Sequence, residues 1–261
     1  KIYNKYMKYN LLLMLNDSYM NFAIIFLNSL YKNTKISRIN NIIINNIGLS
    51  DKNKDILSKK YNKIVFFDTQ KNLGFTKIHS KEWLDALTMK TKTLLKVIQE
   101  YNNIPIILID SDMLVLRDFH KFIDTTYDLQ ICKCKNPYRR KDLEIKQLDY
   151  IACFAIINNN SENVQNFIKE WIIEIEYMSK NNLKPAYETP SMCKMIQKYK
   201  NIIKIGDLNQ DEIACDIEYI QDVSYLIHMR SNGPQGHNHF NERISNIKNY
   251  SKDNVLKYLD I

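Results

Sequence analysis

Ile104-Pro105-Ile106-Ile107-Leu108-Ile109-Asp110-Ser111-Asp112 is an apolar run that stops on two aspartates one residue apart. Five of the six residues from Ile104 to Ile109 are Ile or Leu, which suits a central strand covered on both faces. The aspartates fall where that strand ends. In an extended segment, residues two apart point the same way, so both carboxylates would face one ligand while Ser111 faces away. Two carboxylates that close repel unless a cation lies between them. A divalent ion such as Mn²⁺ or Mg²⁺, which favours carboxylate and phosphate oxygens, is the usual answer. Alone, the triplet is weak: at this Asp content about one Asp-x-Asp is expected by chance.

The segments before this strand give it a setting. Asn10 to Leu15 reads as a first buried strand, broken at Asn16-Asp17-Ser18. A helix follows with Met20, Ala23, Ile24, Leu27, Leu30 and Tyr31 on one face. Ile42 to Ile44 reads as a second strand, with Ser50 capping a short helix through Tyr61, and Ile64 to Asp68 as a third. Beyond a loop containing Gly74, Ser80 caps a longer helix with Leu84, Leu87, Leu94, Leu95, Ile98 and Tyr101 at helical spacing. Strands alternating with helices predict a mostly parallel sheet flanked by helices, an α/β fold of Rossmann-like kind. Ligands of such sheets bind beyond the carboxyl ends of the strands, where Asn16-Asp17 and Asp110-Asp112 both fall. Only five glycines occur, in neither a Gly-x-Gly-x-x-Gly nor a Gly-x-x-x-x-Gly-Lys pattern, which argues against a usual dinucleotide site or a P-loop.

The second half reads as a smaller mixed region. Leu129 to Cys134 and Tyr150 to Asn158 suit strands, separated by a polar stretch with Arg139, Arg140 and Lys141. Ser161 caps a helix whose stripe of Val164, Phe167, Ile168, Trp171, Ile172, Ile175 and Met178 is core. Thr189 and Pro190 suit the cap and first residue of a helix through Tyr199, with Glu188 at its start. Strands near Ile202 to Ile205 and Val223 to His228 and a short helix around Val255 to Leu259 complete the reading. His228 ends an apolar strand and is followed by Arg230, Ser231 and Gly233; a neutral imidazole there could complete a metal site, while Arg230 and loop amides meet a diphosphate. The bland alternative is a buried histidine and a loop. His237 and His239 have the look of a surface pair, and His79 and His120 have no partner visible in sequence.

Composition bounds the rest. A chain of 261 residues, 45% hydrophobic, can bury one large core, and we read residues 1–261 as one domain with a nucleotide-binding half (1–118) and an acceptor-side half (119–261). The net charge of +8 comes from 37 basic residues scattered singly among Asn and Ile, a pattern that disfavours a nucleic-acid partner. Five cysteines without a Cys-x-x-Cys pair read as reduced thiols and point to a cytoplasmic compartment. No apolar run approaches the roughly 20 residues of a transmembrane helix, and Leu11 to Leu15 is too short for a signal peptide. The chain opens on Lys1, which fits a trimmed or internal piece of a longer protein.

Taken in order, these segments resemble the nucleotide-sugar glycosyltransferases of the GT-A fold, and among them the glycogenin-type family 8 enzymes. Leu15-Asn16-Asp17-Ser18-Tyr19 is similar to that family's first-strand turn, and Phe26-Leu27-Asn28-Ser29-Leu30 to the helix after it. Lys92 resembles the lysine ahead of the metal strand, Asp110 to Leu116 the Asp-x-Asp segment, and Ile227-His228 the C-terminal metal histidine. The resemblance implies that Asp110, Asp112 and His228 hold Mn²⁺ or Mg²⁺. It also implies a donor site of Leu15, Asn16, Asp17, Tyr19, Lys92, Asp110, Ser111, Arg230, Ser231 and Gly233 for a nucleotide sugar, a UDP-sugar, with Lys92 on its phosphate or sugar. Catalytic roles would fall to Glu188, Asp112 and Lys92. Glu188 would act on the acceptor hydroxyl or an oxocarbenium-like centre, or be only a carboxylate favoured by its helix dipole. The chain departs from the family on the sugar side. Ile151-Ala152-Cys153-Phe154 stands where Phe-Asn-Ser-Gly is usual, Glu188-Thr189 replaces Asp-Gln, and Arg230 replaces a lysine. The expected activity is retaining transfer to a glycan, protein or lipid hydroxyl. The competing readings are a nucleotidyltransferase or phosphohydrolase on the same carboxylates, and a non-catalytic glycan- or nucleotide-binding relative.

Overall fold

The structure, a computed structural model, describes residues 7–68, 80–138, 148–181, 188–215, 220–229 and 245. Gly74, His79, Arg139, Arg140, Lys141, Arg230, Ser231, Gly233, His237, His239 and the expected helix around Val255 to Leu259 lie outside these residues.

The first half follows the alternation in its sequence. Strand β1 (Tyr9–Leu15) leads through a turn to helix α1 (Met20–Asn33); β2 (Ile39–Asn46), α2 (Asp51–Lys60), β3 (Ile64–Asp68), α3 (Lys81–Glu100) and β4 (Ile106–Ile109) follow. Ser50 and Ser80 cap α2 and α3, their hydroxyls accepting from the backbone N–H groups of Asn53 and Trp83. β1 pairs in parallel with β2 on one side and β4 on the other, and β2 with β3. Side chains then alternate between the two faces. Leu11, Leu13, Leu15, Ile107 and Ile109 pack on the face covered by α1 and α2, whereas Leu12, Ile106 and Leu108 pack under α3.

Beyond β4 come β5 (Met113–Val115), β6 (Leu129–Tyr138), β7 (Leu148–Ile157), α4 (Glu162–Lys180), α5 (Glu188–Tyr199), β8 (Ile205–Asn209), β9 (Ile213–Ala214) and β10 (Leu226–His228). The central sheet has seven strands in the order β3-β2-β1-β4-β7-β6-β8, with β7 antiparallel to both β4 and β6. Strand order reverses between β1 and β4, so the carboxyl ends of these two strands mark the switch point at which open α/β sheets bind ligands. Helices α4 and α5 add Phe167, Trp171, Met192 and Ile196 to the face under α3.

A second, three-stranded sheet, β5-β10-β9, goes beyond the sequence reading: β10 lies within the expected strand Val223 to His228, but β5 and β9, of three and two residues, leave no readable period. Helix α5 begins at Glu188, so Thr189 and Pro190 stand inside its first turn instead of capping it. None of the described helices is long and apolar enough to cross a membrane.

Candidate active site

The two aspartates do not extend the strand. β4 ends at Ile109, and residues 110–113 make a turn in which the N–H of Met113 donates to the carbonyl of Asp110 (3.3 Å). The extended geometry expected for Asp110-Ser111-Asp112 is therefore replaced by a reversal, needed because β5 must leave the central sheet for the small one. Ser111 is buried. The N–H of Asp110 donates to the carbonyl of Cys153 on β7 (3.1 Å), which fixes where the turn starts.

The small sheet brings the third group. β10 runs antiparallel to β5 with His228 opposite Met113, and the N–H of Met229 donates to the carbonyl of Asp112 (2.9 Å). His228 thus arrives beside a residue 116 positions earlier: its Nε2 lies 3.2 Å from Asp112 Oδ1 and 3.6 Å from Asp110 Oδ2. Ligand atoms of Asp110, Asp112 and His228 all lie within 4.8 Å of one another. Nδ1 of His228 lies 3.3 Å from the carbonyl of Cys215. With a cation between the ring and the carboxylates, a proton on Nδ1 donated there would leave the Nε2 lone pair for that cation, the arrangement by which a histidine is oriented as a ligand. Two carboxylates and an imidazole suit Mn²⁺ or Mg²⁺. Burial pulls the His228 pKa down, but the Asp112 carboxylate beside it outweighs this and raises it well above the ordinary value.

Lys90 is the residue that sequence reasoning missed. It is buried on α3 with its Nζ 2.5 Å from Asp110 Oδ1 and 3.0 Å from Glu188 Oε1. Burial alone would lower its pKa; the Asp110 and Glu188 charges overcome this and hold the ammonium protonated. Lys92, two residues on, is turned by about 200° around the helix, half-exposed, and paired with Glu176 of α4 at 2.6 Å. The site therefore draws its lysine from position 90, and Lys92 is not among the residues brought together. A signal was present: Lys90 falls on the stripe of Leu87, Leu94 and Val97, where a lysine is buried only when paired.

Glu188 is also buried, at the start of α5, with its backbone carbonyl accepting from Trp171 Nε1 (3.0 Å). Burial raises its pKa, partly offset by Lys90. Its Oε1 meets Lys90, while its buried Oε2 has no hydrogen-bond partner among the described residues. A carboxylate oxygen so placed costs free energy until a donor reaches it.

At the end of β1, Asn16 is buried and its Oδ1 accepts from Ser18 Oγ (2.7 Å). The exposed Asp17 carboxylate accepts from the N–H of Ser50 (2.8 Å) and Asn53 Nδ2 (2.8 Å), tying this turn to the start of α2. Tyr19 is half-buried beside Phe22, and the Leu15 side chain belongs to the core. Ala152, at the position of the usual Asn, is buried in the core cluster that holds Ala155 and Trp171; its N–H meets Thr189 Oγ1 at 3.4 Å.

No protein-family model matches the sequence, and no curated protein sequence matches it. Solved structures do. The chain is similar to the galactosyltransferase LgtC in complex with donor and acceptor sugar analogs (TM-score 0.56, 13% identity, 93% of this chain and 96% of that one). It is similar to mouse xyloside xylosyltransferase 1 (TM-score 0.60, 11% identity, 88% and 99%). The glycosyltransferase GlyE of Streptococcus pneumoniae also matches (TM-score 0.59, 13% identity, 97% and 62%). At these identities the likeness is one of fold: the chain has the GT-A fold that these glycosyltransferases share, with its mostly parallel central sheet and flanking helices.

Proposed function

We propose that the chain is a divalent-metal-dependent glycosyltransferase that moves a sugar from a nucleotide-diphosphate donor, a UDP-sugar, to a hydroxyl of a glycan, protein or lipid. The observation that carries this reading is the convergence of Asp110, Asp112 and His228 at the switch point of a sheet shared with sugar transferases. LgtC is described with donor and acceptor sugar analogs, which supports a two-substrate site of this kind.

Breaking a sugar–diphosphate bond leaves negative charge on the departing diphosphate. Mn²⁺ or Mg²⁺ held by Asp110, Asp112 and His228 would supply positive charge for that group. Lys90 contributes a second, permanent charge from a buried position, where electrostatic stabilisation counts most. The nucleotide-side roles of Asn16 and Tyr19 rest on the family resemblance and on their position after β1, a strand that pairs with β4 at the switch point. Glu188 takes the sugar side: Oε1 is anchored by Lys90, and Oε2 accepts a hydroxyl of the donor sugar or of the acceptor. Retention of configuration and the donor-side roles of Ser111, Arg230, Ser231 and Gly233 rest on the family resemblance.

Calorimetric titration of UDP with and without Mn²⁺ tests the donor half. Wild type should bind UDP at least about tenfold more tightly with Mn²⁺, and Asp112→Asn should lose that gain, a difference of about 1.4 kcal/mol or more. Equal affinity in all four titrations would refute the metal-dependent donor site.

A further inference from the structure

We propose that Lys90 makes divalent-metal binding conditional on the nucleotide diphosphate: its ammonium holds the place of a cation on Asp110 until the diphosphate draws it away. This rests on the metal-dependent donor site proposed above.

The argument begins with the charges. Asp110, Asp112 and Glu188 are three carboxylates in one pocket, and Lys90 is the ammonium bound to two of them. Lys90 Nζ sits 2.5 Å from Asp110 Oδ1, on a carboxylate that also belongs to the metal-ligand set. A dication arriving alone must share Asp110 with that ammonium. Lys90 is only 4% exposed and Asp110 is half-buried, so the repulsion between the two cations is screened less than between surface charges. Its other contact, Glu188 Oε1 at 3.0 Å, is buried as well, and Leu94 and Val97 of the same helix belong to the core.

A diphosphate changes the balance. Its oxygens accept from the ammonium and carry enough negative charge to tolerate both cations, so the lysine can turn from Asp110 towards the diphosphate while keeping Glu188. Metal and nucleotide then bind with positive coupling, and linkage requires that each raise the affinity of the other by the same factor. Part of any such coupling comes from direct contact between metal and phosphate. The part that belongs to Lys90 is the part a neutral side chain at position 90 would remove.

Lys90→Met retains the aliphatic stem and removes the charge. Mn²⁺ binding, read by electron paramagnetic resonance of the free ion, should be about tenfold or more tighter in Lys90→Met than in wild type when no nucleotide is present. The factor by which UDP tightens Mn²⁺ should shrink by about the same amount. Lys90→Gln, which can still hydrogen-bond both carboxylates, gives the same readout if the methionine variant does not fold. Mn²⁺ binding to the neutral variants no tighter than to wild type overturns the inference and leaves the proposed function intact. Absence of Mn²⁺ binding to any of the proteins, even with UDP, overturns both.

Discussion

Lys90 and Lys92 lie on one helix, the first buried and the second exposed, which makes them a controlled pair for separating function from fold. Lys92→Ala breaks an exposed ion pair with Glu176 and should cost less than about 1 kcal/mol of stability. It should leave UDP affinity in saturating Mn²⁺ within about twofold of wild type, because no charge at the site changes. Calorimetry on the purified variant checks this; a tenfold loss would return Lys92 to the donor site. The same pair shows how far the sequence could be read. Asp110, Asp112 and His228 announce themselves by residue type and by the apolar runs they end. Lys90 does not, because a lysine on a buried stripe is legible only to a reader who asks what pairs with it, and its partner Glu188 is 98 residues away. Ala152 was noticed as a missing Asn, but only the packed core around it shows that its methyl is part of the scaffold.

At the scale of elements, the turn after β1 is held by its own chemistry. Asp17 receives hydrogen bonds from Ser50 and Asn53 at the head of α2, so one exposed carboxylate ties two strand-to-helix connections together. Slight burial pushes its pKa up, but the Ser50 N–H, the Asn53 amide and the Ser50 hydroxyl outweigh this and hold it below the ordinary carboxylate value. A depressed folded pKa contributes stability that is present above the unfolded value, about 3.9, and lost as pH falls through the folded one. Asp17→Asn should therefore melt below wild type near pH 6, by less than about 1 kcal/mol given solvent screening, and the gap should narrow steadily as pH falls below about 3.9. Thermal melts over that range decide it; a gap constant with pH would assign the effect to geometry instead of charge. This clip escapes a sequence reading, since Asp17 and Asn53 belong to different segments. The caps themselves do not: Ser50, Ser80 and Ser161 each precede a helix and each accepts the expected N–H.

The whole molecule divides between what periodicity encodes and what it does not. Runs such as Leu11 to Leu15 and Ile106 to Ile109 are long enough to specify buried strands, and the parallel pairing of β1, β2, β3 and β4 follows from their alternation with helices, whereas their order in the sheet is known only from the structure. In the small sheet only β10 falls in a run that reads as a strand; β5 and β9 have no such signature, yet their pairing with β10 carries His228 to Asp112 and so completes the candidate metal-ligand set. The functional claim thus rests on a long-range closure rather than on any one motif. Many transferases release sugar slowly to water, so the claim can be tested before an acceptor is known. Purified protein is incubated with Mn²⁺ and a panel of nucleotide sugars, and released sugar and nucleoside diphosphate are quantified. The account predicts release from at least one UDP-sugar that needs Mn²⁺ and falls at least about tenfold in Asp112→Asn. Release that persists in Asp112→Asn, or that is indifferent to Mn²⁺, would contradict it, as would turnover of nucleoside triphosphates in place of nucleotide sugars.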